Sequence, residues 1–230
     1  MSGLLEESRI PLRLVPERPI VEALEETETA RRVLEDAIRG WRERAPSWVR
    51  LDFAMQHQKQ TEWCWAATSV SVSAYYDPRT SWTQCSMANA EKGLTTCCDD
   101  GSGDACNAPN RLDLPLARAG VLDHKQTGPL DYDDVRREID AGRPLACRIG
   151  WSCGGGHFAV IDGYRSSGGE WVSIDDPWYS ACDVEVSTLV EGTYQGRGTW
   201  THTYFTRSRP VRPRGSDARE AAIVGGGEPR

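Results

Sequence analysis

The chain has 230 residues, with 27 Lys and Arg against 34 Asp and Glu, and a formal net charge of -7 at pH 7. That acidic balance excludes nucleic acid and anionic membrane surfaces as partners, since both demand a cationic face. No stretch reaches the ~18 apolar residues of a spanning helix, and the opening Met1-Ser-Gly-Leu-Leu-Glu-Glu-Ser-Arg9 has neither the basic nor the apolar part of a secretion signal. The expectation is therefore no membrane insertion, and a location that is cytoplasmic or reached by export without a standard signal peptide.

Residues 1–50 form a charged N-terminal extension with one amphipathic helix, its stripe made by Ala30, Val33, Leu34, Ala37, Ile38 and Trp41. Such a helix must dock on something, either as plain packing or as a propeptide-like cover. The main domain is expected over residues 51–207, and residues 208–230, rich in Arg, Pro and Gly, read as a disordered tail.

Within the main domain the helical signals come first. Thr61 to Tyr76 puts Trp63, Ala66, Ala67, Val70 and Ala74 on one face, with Thr61 or Glu62 as the start, so that Cys64 sits in the first turn. Ser81–Lys92 and Arg111–Ala119 read as short helices. Asp131–Ala141 is a third, with Asp131 as N-cap and Gly142 as its stop. The period then changes to that of strands at Leu145–Ile149, Phe158–Ile161, Trp171–Ile174 and Thr199–Phe205, separated by Gly-rich turns. Helices followed by antiparallel strands predict an α+β fold, with an N-terminal helical half, a C-terminal sheet half and a cleft between them.

The chemistry concentrates at three places along that plan: Gln58-Lys-Gln-Thr-Glu-Trp-Cys64-Trp-Ala-Ala, Gly154-Gly-Gly-His157-Phe and Asp175-Asp176-Pro177. A thiol beside an imidazolium at a helix N-terminus is held as its nucleophilic thiolate, and the first-turn amides there can also donate to an oxyanion. Cys64 is thus the candidate nucleophile, His157 at a strand's start the base, and Gln58, with Gln60 as competitor, a second oxyanion donor. Strand alternation sets Val172, Ile174 and Asp176 on one face, so Asp176 is preferred to Asp175 as the group that orients His157. Taken singly, Cys64 reads as a small buried hydrophobe, His157 as a core histidine and Asp-Pro as a strand terminator. Their joint order and flanks favour catalysis.

These residues resemble the papain-like cysteine proteases, and more closely the small bacterial branch that includes the avirulence-effector proteases of plant pathogens. The resemblance covers roughly residues 51 to 206. It is carried by Trp63-Cys64-Trp65-Ala66-Ala67, Gln84-Cys85-Ser-Met-Ala88-Asn89, Cys97-Cys98, Cys106-Asn107, Gly156-His157 and Asp176-Pro177. It implies a papain-like fold, a protein or peptide substrate, no cofactor, and roles of nucleophile, base, orienting residue and oxyanion donor for Cys64, His157, Asp176 and Gln58. The Cys-Gly-Ser-Cys-Trp of the papain subfamily is absent, so papain's substrate preferences do not transfer. The same apparatus also serves deamidation and acyl transfer, and a dead scaffold would hold peptides without cutting them.

Of the eight cysteines, Cys85, Cys97, Cys98 and Cys106 surround Asp99-Asp-Gly-Ser-Gly-Asp104 as a disulfide-stapled loop, a metal site or a thiol-rich surface. Their spacing matches no common zinc pattern. Cys153 and Cys182 are a candidate for another bridge. Trp151 and Trp178 are the candidate aromatic wall of the cleft.

Overall fold

A computed structural model describes residues 27–36 and 48–208. The chain divides into two compact units, Met1–Pro46 and Ser47–Arg230. In the first, residues 27–36 form helix α1, on which Val33 and Leu34 are exposed. Ala37, Ile38 and Trp41 of the expected stripe lie outside the described residues, as do residues 209–230 of the expected tail.

The second unit runs β1 (Trp48–Arg50), α2 (Cys64–Tyr76), α3 (Gln84–Lys92), α4 (Asp113–Ala119), β2 (Leu122–Thr127), α5 (Tyr132–Asp140), β3 (Leu145–Trp151), β4 (Gly156–Arg165), β5 (Trp171–Asp175), β6 (Cys182–Glu185), α6 (Val186–Val190) and β7 (Gly198–Thr206). The seven strands form one antiparallel sheet in the order β2-β7-β3-β4-β5-β6, with β1 also paired to β4. The α+β class and the order of helices before the main sheet match the expectation. The sheet nevertheless begins before residue 51, because Trp48, Val49 and Arg50 register against Arg165, Tyr164 and Gly163.

Period-2 alternation divides the core. On β3 and β4, Ala146, Phe158 and Val160 join one cluster with Trp65, Val70 and Val72 of α2, Met87 of α3 and Leu116 of α4. Leu145, Cys147, Ile149, Ala159 and Ile161 point the other way, into a cluster with Val135 and Ile139 of α5 and Leu189 of α6. One strand pair thus serves both faces, and Ile149 opposite His157 fixes which face the imidazole takes.

Helix α2 differs from its expected form. It is buried on all sides from Cys64 to Ser73 rather than along one stripe. Its hydroxyls tolerate this by bonding locally: Ser69 Oγ donates to the Ala66 carbonyl at 3.0 Å and Ser71 Oγ to that of Ala67 at 2.7 Å. Neither Thr61 nor Glu62 caps the helix. Trp63 stands at the N-cap without a side-chain cap bond, so Cys64 itself is the first helical residue. Asp131 occupies the N-cap of α5, also without a side-chain cap bond.

The four clustered cysteines are two disulfides, Cys85–Cys98 and Cys97–Cys106. Cys153 and Cys182 are not bridged: Cys153 is exposed, while Cys182 is half-buried on β6. The stapled loop supports the segment before α2. The Cys106 carbonyl accepts from the Trp63 indole at 2.7 Å, and Asn107 bonds the Glu62 amide and the Thr61 hydroxyl, each at 2.9 Å. Cys97→Ser is expected to lower stability by about 2–3 kcal/mol by releasing a short closed loop. Urea unfolding with and without a reductant checks this, since the difference should vanish when both proteins are reduced.

Candidate active site

Cys64 opens α2, and it is only 8% exposed. His157 is the second residue of β4, delivered by a turn in which Gly154 and Gly155 take φ of 94° and 81°, values that glycine adopts without a Cβ penalty. Asp176 follows the last residue of β5, and Pro177 after it ends the ladder because it has no N–H. Three separate elements therefore converge through their termini.

His157 is the centre of the arrangement. Its Nε2 lies 2.8 Å from Asp176 Oδ1, and Cys64 is the other side chain that acts on the ring. Burial alone would lower the imidazole's pKa. The hydrogen bonds and charges of Asp176 and Cys64 override it and push the value up to about 9. The ring is therefore protonated at neutral pH.

Asp176, 2% exposed, is held from four directions. Besides the imidazole, its Oδ1 accepts the amides of Trp178 at 2.8 Å and Tyr179 at 2.9 Å, and its Oδ2 accepts the Tyr194 hydroxyl at 2.8 Å. Burial raises a carboxylate's pKa, but His157 and these amides win and hold it below the usual range. Asp175 is turned elsewhere, its Oδ2 accepting from the Met55 amide at 2.9 Å. The structure thus brings Asp176, and not Asp175, to the imidazole.

Gln58 is buried near the start of α2, its amide N–H bonded to the Pro177 carbonyl at 2.9 Å. Its side-chain Nε2 donates to the carbonyls of Gln60 and Thr61, both at 2.8 Å, while Oε1 has no partner among the described residues. Both side-chain donors are occupied, so an oxyanion role requires one of them to leave a carbonyl for the substrate. Gln60 contributes its carbonyl to this network.

Aromatic rings surround the imidazole. Trp151 stacks on His157 with centroids 6.0 Å apart and planes at 21°, and Tyr179 meets it edge-on at 5.9 Å. Gly198 lets Trp151 lie close, since a Cβ there would come within 2.6 Å of the indole. Trp178 is 45% exposed and stacks on His57 at 6.1 Å instead. Tyr194 and Tyr179 escaped the sequence reading: Tyr194 sits in the turn between α6 and β7, with no motif to mark it. The remaining free thiols differ from Cys64 in place. Cys147 is fully buried on β3, where burial and the Asp176 charge push it up to about 12.

Among the described residues no group of three or more His, Cys, Asp or Glu is placed to hold a metal ion, and no helix is long and apolar enough to cross a membrane. The chemistry available is that of a thiol, a protonated imidazole and a fixed carboxylate.

Comparison with known proteins adds two findings. The family described as papain-like cysteine protease AvrRpt2 has a model that matches residues 47–189. Among solved structures, the chain is similar to a double glycine motif protease from an AMS/PCAT transporter in complex with the leader peptide, at 17% identity and a TM-score of 0.40, over 68% of this chain and 93% of that one. No match was found among curated proteins.

Proposed function

Since the chain belongs to the AvrRpt2 family of papain-like cysteine proteases, we propose that it hydrolyses a peptide or isopeptide bond through Cys64, His157 and Asp176 by way of a thioester. The supporting observation is that His157 Nε2 lies 2.8 Å from Asp176 Oδ1 while Cys64, the first residue of α2, acts on the same ring. The Cys64 thiolate attacks the scissile carbonyl carbon, and the oxygen becomes an anion facing the first-turn amides of α2 and the Gln58 side chain. The C–N bond then breaks as the imidazolium gives its proton to the leaving amine, leaving an acyl-thioester on Cys64. Water attacks that thioester with neutral His157 taking its proton, the acid product leaves, and the thiolate–imidazolium pair is restored.

Asp176 keeps the imidazole in one orientation and stabilises its charge throughout. Exposed Trp178, beside His57, offers an apolar surface for a substrate side chain. Product mass tests the reading. Incubation with an unfolded protein such as casein should give pairs of fragments whose masses sum to the parent plus one water. Intact substrate with a gain of about 1 Da per event, the mark of Gln to Glu conversion, would overturn proteolysis in favour of deamidation by the same groups.

A further inference from the structure

Gln84 is the first residue of α3 and 1% exposed, yet it contacts no group that reacts. Its side-chain amide is spent on the backbone on both sides of Gln58. Oε1 accepts from the Lys59 N–H at 2.9 Å, while Nε2 donates to the His57 carbonyl at 2.9 Å and lies 3.4 Å from Gln56 Oε1. One planar amide thus pairs with a donor and an acceptor that flank a single residue, fixing the peptide planes before and after it. The clamp stands on firm ground. Thr83 and Ser86 cap α3 reciprocally, and the next residue, Cys85, is tied to Cys98.

We propose that Gln84 is a positioning residue for the reaction, holding the 57–59 backbone so that the Gln58 side chain stays within reach of the oxyanion, to which one of its N–H groups turns from a backbone carbonyl. This rests on the reading of Gln58 as an oxyanion donor. A donor that must swap a backbone carbonyl for the oxyanion depends on where its own backbone is held, and a displacement of about 1 Å is enough to forfeit much of its effect. The third tie, Gln58 N–H to the Pro177 carbonyl, links the same segment to the Asp176 turn. The donor and the orienting carboxylate are therefore set against one another through a single stretch of backbone.

Two reagents separate this role from mere packing. Acylation of Cys64 by p-nitrophenyl acetate, read as the burst of p-nitrophenolate, passes through an oxyanion. Alkylation by iodoacetamide displaces iodide and does not. Gln84→Met fills the same volume without polar atoms, and Gln84→Glu keeps the acceptor for Lys59 while losing the donor to His57, so either folded variant carries the test. The expected result is a roughly tenfold slower acylation with alkylation changed less than twofold. In a Gln58→Ala background the same change should slow acylation no further, because the group it aims is gone. Equal slowing with and without Gln58, parallel loss of alkylation, or no slowing at all would overturn the assignment. If Gln58→Ala by itself acylates at the wild-type rate, the oxyanion reading of Gln58 is what fails.

Discussion

Asp176→Ala is expected to cut turnover about a thousandfold and to move the alkaline limb of the pH–activity profile downward by more than one pH unit. The direction follows from what holds His157 protonated. Burial pulls the imidazole's pKa down, and Asp176 is the first of the groups that push it up to about 9. Without the carboxylate, burial gains ground and the ring loses its proton nearer its ordinary value of about 6.5. The proton that the proposed mechanism gives to the leaving amine is then lost at a pH where the wild type still holds it.

Stability should change with it. The raised His157 contributes stability that is complete below the ordinary imidazole value and lost as pH rises through about 9. The depressed Asp176 contributes stability that is present above the ordinary carboxylate range and lost as pH falls through its lowered value. Asp176→Ala removes both, and it also leaves the Tyr194 hydroxyl and the Trp178 and Tyr179 amides without their acceptor. A loss of about 3–5 kcal/mol at neutral pH is expected from urea unfolding. Asp176→Asn keeps the shape and should stay folded. A profile unchanged in that variant would show that the carboxylate does not set the proton on His157.

His157→Ala is expected to remove about 10³- to 10⁴-fold of turnover, with Cys64→Ala removing all that is measurable and the double variant no worse than the latter. In the proposed mechanism the single imidazole both carries the proton for the leaving amine and activates the Cys64 sulfur, so its loss should disable the two partners together. Additive losses in the double variant would mean that the two residues act separately, contrary to the proposed mechanism.

Much of this was legible in the residues themselves. Gly154-Gly-Gly-His157-Phe-Ala-Val-Ile announces a turn and a buried strand, and β4 extends that strand to Gly156–Arg165. The carboxylate choice followed from strand parity, because Val172 and Ile174 must face the core. The edge strands were not legible. β2, Leu-Asp-His-Lys-Gln-Thr, is mostly exposed and polar, and β6 is a four-residue Cys-Asp-Val-Glu, so neither carries an apolar run to mark it. The burial of α2 on all sides was hidden by its serines, which look solvent-facing until their bonds to preceding carbonyls are seen. Tyr194 reaches Asp176 across 18 residues, and Gln84 reaches Lys59 and His57 across 25 and 27, through hydrogen bonds that no local periodicity encodes.

The most direct test of the proposed nucleophile is site-resolved iodoacetamide labelling at about pH 6, read by mass spectrometry in the wild type and in His157→Ala. Exposure alone favours Cys153, which lies in solvent, over Cys64, which is buried. The reverse is expected in the wild type, with Cys64 labelled well ahead of Cys153, and a return to the order of exposure once His157 is gone. Cys153 reacting first in the wild type would contradict an activated thiolate at Cys64.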